Sequence, residues 1–323
     1  MGALPRTLPG SLRSAGLVCF GLLAAACGSG QPENVQEPSD HPAATVPEIL
    51  EPPPAWEPSP SEVLPQAKAL AARIALALTN YPYGSTPEGV ARAVAEGGEI
   101  PLAVLEELLH PDAASAGLVV YPQLVGADDT AAAITVLVEQ RLRRTGGTEE
   151  SHLRVLDLRL ERESGEWRFA ALRSGGGREH SRPAELSEAA RTVLDHPNIH
   201  LPDTGRWDVH AGRVTEELLE LLVLVADRHE IHVLSLVSGR PRQVFGTDRP
   251  SRHAVGRAVD IHAVDGIPVV EQRAEGSPAH QLVTWLFELD GPRIGSPWAL
   301  DAFGGRSFTD LVHQDHIHLS VEP

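Results

Sequence analysis

The sequence predicts an α+β protein with two folded domains, and three observations carry that reading. Apolar residues at helical spacing between 63 and 109 give way to four runs with strand character. A glycine-rich break at 174–185, SGGGREHSRPAE, closes that series, and helix and strand signals beyond it follow in mixed order. At 323 residues the chain is long enough for about two domains of ordinary size.

The elements follow in order. Residues 1–26 read as a secretory signal, because Arg6 and Arg13 precede an apolar run, Ala15 to Ala26, too short to span a bilayer. The run ends in Leu23-Ala24-Ala25-Ala26-Cys27, which resembles a bacterial lipobox and implies Cys27 as the lipidated first residue of the mature chain. An extracytoplasmic protein anchored to the cell membrane is expected. With Cys19 removed and Cys27 lipidated, neither of the two cysteines remains for a disulfide. Residues 27–61 are proline-rich, with apolar residues too scattered to bury, and are expected to form an extended tether.

Residues 62–178 are expected to form the first domain. Val63, Leu64, Ala67, Leu70, Ala71, Ile74, Ala75 and Leu78 mark a helix, Thr86-Pro87 opens a second in cap order, and a third is expected over 102–109. Strands are expected over 118–126, 131–144, 153–163 and 166–174, where LRVLDLRLE alternates apolar and charged residues as a half-buried strand does. Helices followed by a curled meander resemble the nuclear-transport-factor-like α+β cone, and no catalytic constellation stands out there. Residues 185–323 form the second domain, with helices over 185–194 and 214–226 and a buried strand over 231–238. A hairpin follows over 258–270, turning at Asp265-Gly266. Ser277-Pro278 caps a further helix through Leu289, and one final strand is expected from FTDLVHQDHIHLSV.

Net charge is −17 and Lys68 is the sole lysine, so no basic patch offers itself to nucleic acid. The chemistry lies in two clusters near the C-terminus. SRHAVGRAVD places His253 before Asp260 with Gly256 between them, and HQDHIH supplies His313, Asp315, His316 and His318. Three nitrogen or oxygen ligands and one open position are what a catalytic zinc requires, and the two clusters read as two halves of one zinc site. Side chains at i and i+2 of a strand share a face, so His316 and His318 are expected to point together, as are Asp260 and His262. By strict alternation Asp315 would turn away, so its use requires a bend at Gln314 to Asp315. His196, His200, His229 and His232 lie outside both clusters, and ordinary core or surface roles suffice for them.

S-x-H-x-x-G-x-A-x-D followed by D-H-x-H resembles the LAS group of zinc peptidases, which includes the D-alanyl-D-alanine carboxypeptidases, the peptidoglycan endopeptidases and hedgehog-like relatives. The resemblance covers roughly 185–323 and implies an antiparallel sheet with flanking helices. It implies His253, Asp260 and His318 as ligands of one zinc ion and Asp315 as general base. His313 and His316 match the H-x-D-H-x-H ending of the endopeptidase branch, and one or other of them is expected to neutralise the developing oxyanion together with zinc. SGRPR at 238–242 is similar to the family's S-G-x-R segment and leaves either Arg240 or Arg242 to hold a substrate carboxylate, and Ser251, beside the first ligand, is expected to bind substrate as well. The implied activity is hydrolysis of peptidoglycan stem peptides or cross-links, by carboxypeptidase or endopeptidase action. A catalytically silent zinc module that binds wall or a protein partner is the alternative, and a spacer lipoprotein with incidental histidines is a third.

Overall fold

The computed structural model describes residues 53–94, 97–289, 291–301 and 305–322. The expected signal segment, Cys27 and the expected tether up to residue 52 lie outside the described residues. Helix α1 (Pro65–Thr79) starts on a proline at its first turn and buries Ala67, Leu70, Ala71, Ile74, Ala75 and Leu78. Lys68 is buried with them. Helix α2 (Pro87–Ala93) is capped as its sequence predicts, Thr86 accepting from the Gly89 amide. Helix α3 spans only Leu102–Leu105, shorter than expected, and turns at Leu108 and Leu109 carry the chain to Pro111.

Strands β1 (Ala113–Ala127), β2 (Ala131–Arg144), β3 (Glu149–Glu163) and β4 (Glu166–Ser174) form an antiparallel meander in that order. The first strand begins earlier than its apolar run suggests, because the small residues of AASAG are buried and pair with β2. Two irregularities interrupt its register, between Val119 and Tyr121 and between Leu124 and Gly126. Such breaks re-aim side chains, and the residues between them, Tyr121 to Leu124, reach the site described below.

Beyond the glycine-rich break come α4 (Glu188–Asp195), β5 (Ile199–His200), α5 (Asp203–His210), α6 (Glu216–Ala226) and β6 (Ile231–Ser235). They lead to β7 (Ala258–Val264), β8 (Ile267–Pro268), α7 (Pro278–Glu288), β9 (Arg293–Gly295), β10 (Ser307–Phe308) and β11 (Ile317–Ser320). The sheet order is β10-β9-β11-β7-β6-β5, with β8 paired to β7. This sheet is mixed and not purely antiparallel as expected. β5 and β6 run parallel because α5 and α6 form the crossover between them, and β9 and β10 are parallel as well. Asp265 and Gly266 both take positive φ, 52° and 75°, making the expected tight turn between β7 and β8. The single strand expected over the last residues is two short strands separated by a 3₁₀ turn, Val312–Gln314.

The fold is α+β. The described residues make one compact unit with two main cores. One packs α1 against the meander, around Ile74, Leu78, Leu124, Ile134 and Leu158; the other surrounds β7 and β11 with Leu218, Leu222 and Leu282. A smaller cluster joins the two sheets, Tyr121, Leu137 and Val155 meeting Leu234 and Val270. Burying such a side chain contributes about 1.5–3 kcal/mol, so the sheets hold each other as well as themselves. The end of the expected tether joins this packing. Trp56 lies against the first core, and the Ser61 carbonyl accepts from Arg273 at 2.7 Å. Among the described residues no helix is long and apolar enough to cross a membrane.

Candidate metal centre

Antiparallel pairing of β11 with β7 sets His318 directly opposite Asp260, and directly opposed side chains on one face are neighbours. His318 Nδ1 lies 2.9 Å from Asp260 Oδ1. His253 approaches from a 3₁₀ turn, His253–Val255, which closes on Gly256 at φ 70°. A Cβ at residue 256 would stand 1.8 Å from the Arg213 carbonyl oxygen, so only glycine lets the chain pass there. The turn brings His253 Nε2 within 3.2 Å of both Asp260 Oδ1 and His318 Nδ1. Three donor atoms thus converge from two strands and a turn in a set that could hold a metal ion. Ser251 Oγ accepts from the His253 amide at 3.3 Å and so steadies this turn.

The outer contacts aim these atoms. His253 Nδ1 donates to the Leu236 carbonyl at 2.6 Å, which leaves the Nε2 lone pair facing the cluster. Burial, aided by the charge of Arg240, lowers its pKa to about 4, so the ring is neutral and ready to ligate at neutral pH. Burial alone would raise the pKa of Asp260, but Arg240 and His253 hold it well below the usual carboxylate range. Its second oxygen, Oδ2, accepts from Gln123 Nε2 of β1 at 2.6 Å and pairs with Arg240 Nη1 at 3.0 Å. One oxygen therefore faces the imidazoles while the other is held by the neighbouring sheet.

Asp315 stands elsewhere than the sequence suggests. Its backbone leaves strand geometry at φ −121°, ψ 1°, the expected bend, yet the carboxylate does not turn to the ligand cluster. Oδ1 accepts from His316 Nδ1 at 2.6 Å, while Oδ2 takes the Leu124 amide at 3.0 Å and pairs with Lys68 Nζ at 2.6 Å. With both oxygens committed and the side chain fully buried, Asp315 sits behind His316. His316 Nε2, not Asp315, faces Asp260 Oδ1, at 3.7 Å. Lys68 in turn pairs with Glu62 and donates to Tyr121 Oη at 3.2 Å. Burial would raise the pKa of Asp315, but the Lys68 charge and the His316 hydrogen bond bring it down to about 2.

His313 Nδ1 donates to Asp310 Oδ1 at 2.7 Å, and burial lowers its pKa. With Nδ1 committed to Asp310, Nε2 is the ring atom left to meet a ligand, and in the neutral ring it accepts a hydrogen bond. His262 faces Tyr121, stacked at 5.7 Å between centroids, and lies outside the triad. A cleft of 380 Å³ opens onto His253, His313, His316 and His318. A wider cleft of 1330 Å³ carries Arg242, and the two share Arg240 and the wall 243–245. Phe245 in that wall seats against Gly126 of β1, where a Cβ would meet its ring at 2.3 Å. Arg240 is thus at the triad and Arg242 is in the wider cleft.

Sequence reasoning missed the contribution of the first sheet: Lys68, Gln123 and the Leu124 amide. A signal existed in two places. Lys68 is the chain's sole lysine and falls on the apolar stripe of α1, and Gln123 is a lone polar residue inside LVVYPQLVG.

No family model matches this chain, and no curated protein does. Among solved structures, that of Rv3472, a protein of unknown function from Mycobacterium tuberculosis, is similar over 44% of this chain and 82% of its own, at 19% identity and a TM-score of 0.21. A likeness that slight transfers no function.

Proposed function

We propose that residues 185–323 act as a zinc-dependent peptidase on peptidoglycan stem peptides or their cross-links, held outside the cell membrane by a lipid on Cys27. The observation that carries this reading is the convergence of His253 Nε2, Asp260 Oδ1 and His318 Nδ1 beside a histidine backed by a carboxylate. Two imidazole nitrogens and one carboxylate oxygen beside a cleft suit zinc in a hydrolytic site. Zinc, when bound, supplies the Lewis acidity that makes water a nucleophile near neutral pH.

The chain's own residues supply the rest. His316, its Nδ1 proton committed to Asp315, offers Nε2 to the attacking water and takes its proton. Asp315 fixes the tautomer and stabilises the imidazolium, and the proton then passes from Nε2 to the leaving amine. Arg240 lines both clefts beside its ion pair with Asp260, and its guanidinium offers a donor to the polarised carbonyl or to a substrate carboxylate. His313 Nε2 accepts from a substrate N–H. The wider cleft adjoins that of the triad, with Arg240 and residues 243–245 lining both, and endopeptidase action would lay the peptide across the two.

The test combines zinc analysis with mass analysis of muropeptides incubated with the full chain. We expect one zinc lost in His253→Ala, and zinc kept with turnover reduced about 10²- to 10⁴-fold in His316→Ala. Unchanged turnover in His316→Ala would overturn the proton-transfer role. Zinc binding without cleavage of any muropeptide would instead establish the silent, wall-binding alternative.

A further inference from the structure

A second group of ligating side chains lies at the β5 edge of the mixed sheet and shares no residue with the first. Parallel pairing of the short strand β5 with β6 sets His200 directly beside His232. Glu230, two residues before His232, extends to the same place. His200 Nε2 lies 3.0 Å and His232 Nε2 2.9 Å from one and the same carboxylate oxygen, Glu230 Oε1. The two rings stack with centroids 4.3 Å apart and planes 19° from parallel, so both ring edges present nitrogen on the same side. The nearby His229 is not part of the group, being bound to Asp265 at 3.0 Å.

We propose that His200, Glu230 and His232 form a second, solvent-facing site for a divalent transition metal, zinc in the first instance. Two imidazole nitrogens and one carboxylate oxygen form a donor set that zinc accepts, with water to complete the shell. Bond lengths of ~2.0–2.1 Å in a tetrahedron place ligand atoms ~3.3 Å apart. All three donor atoms lie within 4.8 Å of one another, and the two nitrogen-to-oxygen spacings, 3.0 and 2.9 Å, need to open by only a few tenths of an ångström. Side chains 46%, 43% and 31% exposed, for His200, Glu230 and His232, have the freedom to do so. The consequence is structural. β5 is held to β6 by pairing over two residues alone, and an ion bound to both strands would fasten this edge of the sheet. Exposure leaves the site open to competing water, so it should bind more weakly than the buried triad.

The experiment uses the full chain, stripped with a chelator and then equilibrated with buffered free zinc at increasing concentration. Bound zinc is counted by elemental analysis. His200→Ala and His232→Ala should each bind one zinc fewer than wild type at saturation, and His229→Ala should match wild type. His253→Ala reports separately on the buried triad, so failure of that site leaves the comparison intact. Melting temperatures in chelator check folding, and the rise on adding zinc should be smaller in His200→Ala and His232→Ala than in wild type. Equal zinc content in wild type, His200→Ala and His232→Ala overturns the site.

Discussion

Lys68 Nζ, on the first helix, lies 2.6 Å from Asp315 Oδ2, near the end of the chain, and neither side chain is exposed. Removing one partner of a buried ion pair strands the other charge, at a cost of about 3–5 kcal/mol. Lys68→Met should therefore lower the melting temperature by several degrees although methionine fits the same space. The acid limb should also move. Asp315 has its pKa depressed to about 2 in the folded protein. Its contribution to stability is complete above the unfolded value near 4 and is lost as pH falls through about 2. Without Lys68 burial acts with less opposition, the folded pKa rises, and acid unfolding followed by circular dichroism should begin at higher pH than in wild type. Identical acid transitions would show that the pair does not set the charge of Asp315.

Gln123 Nε2 donates to Asp260 Oδ2 from a strand of the other sheet. Groups that orient a ligand from behind typically carry 10- to 100-fold in metal affinity. Gln123→Ala should weaken zinc binding by roughly that factor, measured against a chromogenic chelator. Gln123→Glu should be worse, because a second carboxylate would repel Asp260. Wild-type affinity in both variants would mean that Arg240 alone suffices to hold Oδ2.

Membrane attachment is tested apart from the fold, since Cys27 lies outside the described residues. Cys27→Ser should release the protein from membranes or leave its precursor unprocessed. Identical fractionation and mass would reject the lipid anchor.

Local signals in the sequence were legible wherever the physics is local. Thr86-Pro87 and Ser277-Pro278 cap helices as read, because a hydroxyl accepting an amide three residues on needs nothing from the rest of the chain. Asp265-Gly266 turns the hairpin for the same reason. The facing of His318 and Asp260 was legible in part. Strand alternation gave their faces, but their register belongs to the tertiary fold. What escaped was every contact between the two sheets. A carboxylate such as Asp315 is directed by whichever cation and amide lie nearest, and Lys68 and the Leu124 amide come from far earlier in the chain. The irregular register of β1 that delivers Gln123 and Leu124 has no glycine or proline signature at Gln123 itself.

The position of Asp315 also changes what its substitution should do. A base in direct contact with water would lose all function as the amide, whereas a residue that orients His316 should lose part of it. Asp315→Asn keeps an oxygen that can accept from His316 Nδ1, but Lys68 then keeps only Glu62 as its counter-ion. We expect the variant to fold with a lower melting temperature and to keep its zinc, since Asp315 touches none of the three converging atoms. Turnover of a muropeptide should fall by up to about 10⁴-fold, the scale on which a misplaced imidazole tautomer acts. The triple variant Glu62→Gln/Lys68→Met/Asp315→Asn removes all three charges of the buried cluster together and should recover much of the stability lost by Lys68→Met or Asp315→Asn. It should not recover turnover, because nothing then stabilises the imidazolium of His316. Stability and turnover measured on all four proteins separate the two roles. Turnover restored along with stability would show that Asp315 serves the fold alone.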